Sequence, residues 1–331
     1  MTQQTSAVRE RSARTISAFL LDYGIIIAVF LLYIVLSLQT NAFFSIRNQL
    51  NILDQAHQIG LIAVAATVVI IAGGFDLSTG AIFAMSGVIA AMVARDLGAH
   101  EEFATAAPWL GWTAGLIAGT LLGLLNGVLV TFFRINTFVA TLSSGIVFRG
   151  FALLITEAEM VRVSDSAFRE LARGNILDVR HTVFIWLGFA LALSFMLFRT
   201  RFGRYVFAAG DNPEAARLSG INVNLVRTIT FGISGLAAGM AGVLSASKFL
   251  KAQNDSGQGL ELISIAAVVI GGTSIMGGEG AVWRTVLGVM LLRLIENGFN
   301  LMNVEPFYQD IFQGLIILLA VALDALRHRR S

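Results

Sequence analysis

IGLIAVAATVVIIAGGFDLSTGAIFAMSGVIAAMVA, residues Ile59–Ala94, decides the class of this chain. Two apolar runs flank GGFDLSTG, and Asp76 is the one formal charge in the whole stretch. In a bilayer core the backbone N–H and C=O groups must pair within their own segment, so runs of this kind are helices. A core about 30 Å thick asks for roughly 20 mostly apolar residues per span.

The pattern repeats outward from this stretch. About ten segments of suitable composition are expected to span. They lie at Phe19–Leu38, Ile59–Gly73, Gly80–Ala94, Trp109–Phe133, Thr137–Ile155, Thr182–Phe198, Thr228–Ser247, Leu262–Met276, Ala281–Phe299 and Ile311–Leu326. Composition agrees. Of 331 residues, 56% are hydrophobic and 13% charged, with a mean hydropathy of +0.76. Soluble domains carry about 25% charged residues. The expected fold is all-α, a single polytopic transmembrane domain over residues 1–331. It has an N-terminal segment 1–18, an outer loop 156–181 and an inner loop 199–227.

An even number of spans puts both termini on one side, and excess arginine marks the cytoplasmic side. Arg9, Arg11 and Arg14 precede the first segment, and Arg327, Arg329 and Arg330 follow the last. Arg134, Arg199, Arg201, Arg204, Arg217 and Arg227 fall on the same side. The opposite loops carry more acids than bases, despite four arginines in Thr156–His181. The polar, arginine-bearing start resembles the beginning of a signal peptide. No small-residue cleavage site follows the apolar run, which is read as a retained first span.

Two pairs of segments share a feature. Ile59–Gly73 and Gly80–Ala94 join through GGFDLSTG, and Leu262–Met276 and Ala281–Phe299 join through GGEG. The phrases VVIIAGG and VVIGG recur at the two junctions. Short, glycine-interrupted segments in corresponding places read as an internal repeat of broken helices around a translocation path. The plainer alternative is that glycine lets helices pack closely.

Several chemistries are excluded or unsupported. There is no cysteine, hence no disulfide, thiolate metal site or cysteine nucleophile. No lysine follows a glycine, so there is no P-loop for ATP. His57, His100, His181 and His328 are too far apart in sequence to form a metal-ligand motif. No cofactor is expected. Arg149, Arg284, Arg293 and Glu296 lie in or near apolar segments, where a charge must face protein or water. Arg293 and Glu296 are three residues apart and read as a structural ion pair. Asp76 and Glu279 sit in the two junctions and are expected to cap helix starts. With Glu296 they all read as peripheral.

The candidates for a path or gate are Asp76, Ser78, Asn126, Thr137, Thr141, Ser144 and Asn297, polar groups in or beside spans. They serve either as interhelical glue or as hydrogen-bonding sites for a polar solute. One more helix is written outside the apolar runs, in GDNPEAARLSG (Gly210–Gly220). Asp211 or Asn212 suits the cap, and Pro213 the first helical position. Glu214 favours the first turn, Ala215, Ala216, Arg217 and Leu218 propagate it, and Ser219–Gly220 end it. A helix of about two turns is unstable alone and must dock on something.

AAGDNPEAARLSGINV resembles the cytoplasmic signature of permease subunits of bacterial ABC sugar importers, of the ribose/xylose/galactose/autoinducer type. GGFDLSTGAI, LLNGVLVTFFRINTFVATL, GLELISIAAVVIGGTSIMGGEG and NGFNLMNVEPFYQDIFQG fit the same family, from roughly Asn41 to Asp324. The resemblance implies a dimer of permeases, identical or related, in the bacterial inner membrane. Two ATPase subunits would bind below and a periplasmic sugar-binding protein above. Residues Asn212–Gly220 would be the coupling element seated on the ATPase, and catalysis would reside on that partner. Three positions depart from the pattern. Asp211 stands where glycine is usual, Ile263 where an acid is usual, and Arg284 where glycine is usual; these would weaken packing at the second junction or mark a different partner permease. DSAFRELARG in the outer loop is expected to form a short capped helix that touches the binding protein or lies on lipid headgroups. The rival reading is an ion-coupled secondary transporter, which needs a buried carboxylate.

Overall fold

The computed structural model describes residues 24–328. Arg9, Arg11, Arg14, Arg329 and Arg330, the segment 1–18 and the start of the first apolar run lie outside them. Among the described residues there are thirteen helices, set against about ten expected spans and two expected short helices outside them. They are α1 (Gly24–Gln39), α2 (Ile46–Ile71), α3 (Thr79–Gly98), α4 (Ala107–Thr131), α5 (Thr137–Thr156), α6 (Ser166–Arg173) and α7 (His181–Arg199). They continue as α8 (Arg201–Asp211), α9 (Pro213–Leu218), α10 (Val223–Phe249), α11 (Leu260–Ile270), α12 (Val282–Leu301) and α13 (Pro306–His328). Six of them, α2 to α5, α7 and α10, are long and apolar enough to cross a membrane. Each apolar segment overlaps a helix in its described part, with Leu262–Met276 running six residues past α11; α6, α8 and α9 are short and polar, and of these only α8 has no forecast in the sequence.

α2 is the mast of the molecule. Its residues from Ile59 to Ile71 are all buried, wrapped by α7, α10, α11 and α12. The helix starts at Ile46, far ahead of the apolar run, because its polar front half finds partners. Asn48 Nδ2 donates to the Phe43 carbonyl at 3.1 Å, and Asp54 meets Lys248 and Thr182. The expectation of two short pairs is therefore corrected. α2, α3 and α12 are 26, 20 and 20 residues long, and α11 alone, with 11, is short.

α4 and α10 make the closest pairing. Gly111, Gly115, Gly119, Gly123 and Gly127 recur every fourth residue of α4. A Cβ on Gly119 would stand 2.6 Å from the Gly235 carbonyl and 2.8 Å from Gly239 Cα. Backbone thus rests on backbone, as small-residue stripes permit in membranes. The all-α expectation needs a small amendment at one end. Two-residue strands pair there, β1 (Val161–Arg162) with β4 (Lys251–Ala252), and β2 (Asn175–Ile176) with β3 (Val179–Arg180). α6 is capped as the sequence indicates, Asp165 Oδ1 accepting from Ala167 N at 2.8 Å. Its apolar face lies on protein, with Phe168 buried against Trp112 and Ser247 accepting from Ala172 N.

Candidate functional site

α9 forms where its local cues place it. Asn212, not Asp211, is the cap, and its Oδ1 accepts from Ala215 N at 2.9 Å. Pro213 opens the helix, Glu214 lies in the first turn, and Gly220 takes a left-handed φ of +83°. Ala216 is buried among apolar residues of α2, α8 and α10, whereas Leu218 is 87% exposed. One face of α9 is thus anchored, and a large apolar side chain is left bare. α8, which leads into α9, has no forecast in the sequence; Thr200 starts it by accepting from Gly203 N at 3.2 Å.

The two glycine junctions meet at the end of α8. Gly278 N donates to the Ile71 carbonyl at 2.9 Å, closing the second junction onto the last turn of α2. A Cβ on Gly277 would stand 3.2 Å from Gly73 Cα, and one on Gly278 would stand 2.8 Å from Asp211 Cα. Gly210 itself lies against the Ile71 carbonyl and Gly278 N. Arg227 fastens the group, donating from Nε to the Ala72 carbonyl at 3.0 Å and from Nη2 to the Ala209 carbonyl at 3.3 Å. Of the departures from the family pattern, Asp211 ends α8 at this contact. Arg284 stacks over Trp283 at 5.4 Å, and α12 still approaches Gly271 closely, the Arg284 carbonyl 2.6 Å from a Cβ built there. The expected loosening of the second junction is absent at that contact.

Four of the candidate path residues come together with one the sequence did not single out. Asp76 is 5% exposed. Its Oδ1 accepts from Ser78 N at 3.0 Å and Ser78 Oγ at 2.5 Å, and its Oδ2 accepts from Ser234 Oγ at 2.7 Å. Asn126 Nδ2 donates to Ser78 Oγ at 2.7 Å, and Leu77 N donates to Thr141 Oγ1 at 3.0 Å. Ser144 Oγ donates to the Thr141 carbonyl at 3.1 Å, and the Thr137 carbonyl accepts from Thr141 Oγ1 at 2.8 Å. Ser234 lies eleven residues into α10, roughly 16 Å along it, so Asp76 lies deep and is not peripheral. The capping expectation is half corrected. Asp76 accepts from backbone just before α3, whereas α12 has Ala281 at its N-cap and no side-chain cap from Glu279. Glu261 lies against Gly80 in the first turn of α3, where a carboxylate complements the helix dipole.

Asn297 is elsewhere. It exchanges two amide hydrogen bonds with Asn48, at 3.1 and 2.9 Å, tying α12 to the start of α2. A second polar cluster escaped the sequence reading. Lys248 Nζ meets Asp54 Oδ2 at 2.8 Å, and Thr182 Oγ1 donates to Asp54 Oδ1 at 2.5 Å. The available signal was one of only two lysines, at the end of an apolar run. Arg293 does pair with Glu296, and Arg149 Nη1 donates to the Asn254 carbonyl at 2.7 Å. No group of three metal-ligating side chains occurs among the described residues.

Comparison with known proteins adds to this geometry. A family model described as "Branched-chain amino acid transport system / permease component" matches residues 48–321. The chain is 36% identical over 328 residues to the ribose import permease protein RbsC of Escherichia coli K12, covering 98% of this chain and 99% of that one. It is 34% identical over 307 residues to the L-arabinose ABC transporter permease protein AraH of Azospirillum brasilense, covering 93% and 88%. Against the D-allose transport system permease protein AlsC of Escherichia coli K12 it is 35% identical over 290 residues, covering 88% and 87%. No solved structure matches the chain.

Proposed function

Because this chain belongs to the permease-component family of ABC transport systems, we propose that it forms half of the path for a monosaccharide across the bacterial inner membrane. ATP is hydrolysed on a separate chain, and a periplasmic binding protein delivers the sugar. The observation that carries this reading is α9, capped at Asn212, anchored by Ala216 and bare at Leu218. A helix of six residues has no reason to be kept rigid and half uncovered unless another chain covers it.

In this reading ten helices span, α1 to α5, α7 and α10 to α13, with both termini and α8–α9 in the cytoplasm. The path is shared with a second permease copy or a related permease, lipid surrounds the pair, and α6 faces the binding protein. Closure of the ATPases moves α9. Gly210 and Asp211 then move the two glycine junctions, because these touch through backbone. The Asp76, Ser78, Asn126 and Thr141 group, completed by Ser234 and with Thr137 and Ser144 on the same helix as Thr141, lies between α3, α4, α5 and α10 and responds to the same motion. No bond in the sugar is made or broken.

The test is co-expression with a sugar-importer ATPase and periplasmic binding protein from the same organism, followed by uptake in vesicles. Leu218→Asp is expected to reduce ATPase co-purification and ATP-dependent uptake while insertion is unaffected. Unchanged uptake and complex yield would end the assignment of α9. One observation favours a second reading. Asp76 is the kind of deep carboxylate that ion coupling requires. If uptake by the chain alone follows a proton or sodium gradient and Asp76→Asn abolishes it, ion coupling is the mechanism.

A further inference from the structure

α12 and α13 converge at the turn Met302–Glu305 but separate below it, and a cavity of about 220 Å³ opens between them, closed behind by Ile59 of α2 and by Leu260 and Ile263 of α11. α12 begins beside the glycine junction at the foot of the molecule, so this turn lies at the far end, away from α9. Arg293 and Gln313 are eight and seven residues from the turn-side ends of their helices. At 1.5 Å per residue they lie roughly 10–12 Å below the turn.

The lining is not that of a void between spans. Arg293, Glu296, Gln309, Asp310 and Gln313 all face the cavity, with Phe299 on its wall. Arg293 is 10% exposed, its Nη1 is held by Glu296, and its Nε is buried with no acceptor. The side chains present donors (Arg293, Gln313) and acceptors (Glu296, Asp310, both glutamines) in one place, while the Gln309 amide donates to Asn300 Oδ1 at 3.1 Å and to the Val304 carbonyl at 2.9 Å. One cation against two carboxylates disfavours an anionic lipid headgroup. A polyol, in which every hydroxyl both donates and accepts, matches the set, and Phe299 offers a flat apolar wall to a ring. The volume lies below the roughly 300–1,000 Å³ of sites for drug-sized molecules, which suits one sugar ring rather than a chain of them.

We infer that the cavity between α12 and α13 is a monosaccharide-binding site within each permease, reached from the outer side. It rests on the reading of the chain as a sugar permease subunit and adds a place where the permease itself holds the sugar after release from the binding protein. Its affinity is low, because a site on the route must release what it takes.

The test uses the purified chain in nanodiscs, without binding protein or ATPase, probed with radiolabelled D-ribose, L-arabinose and D-allose by equilibrium dialysis. Saturable, millimolar binding of at least one sugar is expected. Gln313→Leu and Glu296→Gln should each weaken it by about tenfold while thermal unfolding stays within a few degrees, and a variant outside the cavity, Gly150→Ala, should bind as the parent does. Absence of saturable binding for all three sugars, or binding unaltered by both substitutions, would overturn the inference. So would native mass spectrometry showing a phospholipid in the cavity that the sugars do not displace. A parallel uptake assay with the full importer separates the two ideas. Sugar uptake that is ATP-dependent yet indifferent to both substitutions leaves the permease reading standing and removes the site; no sugar uptake by the parent importer removes the reading itself.

Discussion

Polar residues inside this chain are conspicuous, but their partners are far away in sequence. Asn48 and Asn297 are separated by 249 positions and Asp54 and Lys248 by 194. Local cues can therefore flag Asn297 as needing a partner without naming it. The same limit hid Ser234, which completes the Asp76 network. The Asp54–Lys248 contact is short and mostly shielded, at 14% and 18% side-chain exposure. Lys248→Met is expected to destabilise by about 2 kcal/mol, since the Asp54 carboxylate loses a charged donor. Adding Asp54→Asn should recover part of the loss. Thermal unfolding of the two single variants and the double variant measures the coupling, and strict additivity would show that the pair contributes nothing. Asp76→Ala strips acceptors from Ser78 and Ser234 and should cost about 1–3 kcal/mol, with Asp76→Asn milder, read by the same unfolding assay.

At the scale of elements, legibility follows how local the signal is. α9 was readable almost to the residue because cap, proline, first-turn acid and terminal glycine all act within one turn. α6 was readable for the same reason. α2 was cut short because hydropathy discards IRNQLNILDQAHQ, whose polar groups are satisfied only by other helices. The glycine stripe of α4 stood in plain sight at intervals of four, yet its meaning depends on α10 lying against it. Gly119→Ala is expected to push the helices apart and cost about 1–3 kcal/mol, since even a methyl would sit 2.6 Å from a carbonyl oxygen. Gly150→Ala, with open space around it, should be close to neutral. The difference in melting temperature between the two measures how much the assembly depends on that contact. α9 offers a contrast of another kind. Exchanging the charges of Glu214 and Arg217 should leave folding unchanged, because both side chains are exposed, while reducing ATPase association.

For the whole molecule, the directions of the helices make a prediction about sidedness. The chain contains no cysteine, so single-cysteine variants need no background removal. Leu177, 92% exposed between β2 and β3, and Leu218, 87% exposed on α9, stand at opposite ends. An impermeant maleimide should label Leu177→Cys in spheroplasts directly and Leu218→Cys only after the membrane is opened. The reverse pattern would invert the orientation argued from arginine placement. Overall architecture was visible in outline because a bilayer reduces folding to one repeated choice, apolar helix or not. What the outline lacked were the two features that organise the interior, the deep position of Asp76 and the meeting of the two junctions. Both arise from non-helical backbone at residues 72–78 and 271–281, where periodicity offers no guide.

That meeting of Gly73, Gly210 and Gly277–Gly278 has a mechanical corollary. Flexible side chains work as cushions: they take up part of any push and tolerate a neighbour that grows. Here main chain bears on main chain at Gly210, Gly277 and Gly278, so in the proposed coupling a push on α9 would arrive undamped, and a methyl at Gly210 would run into the Ile71 carbonyl. In the proposed reading, the sugar site at the opposite rim is then free to change its lining, while this bearing takes no added side chain.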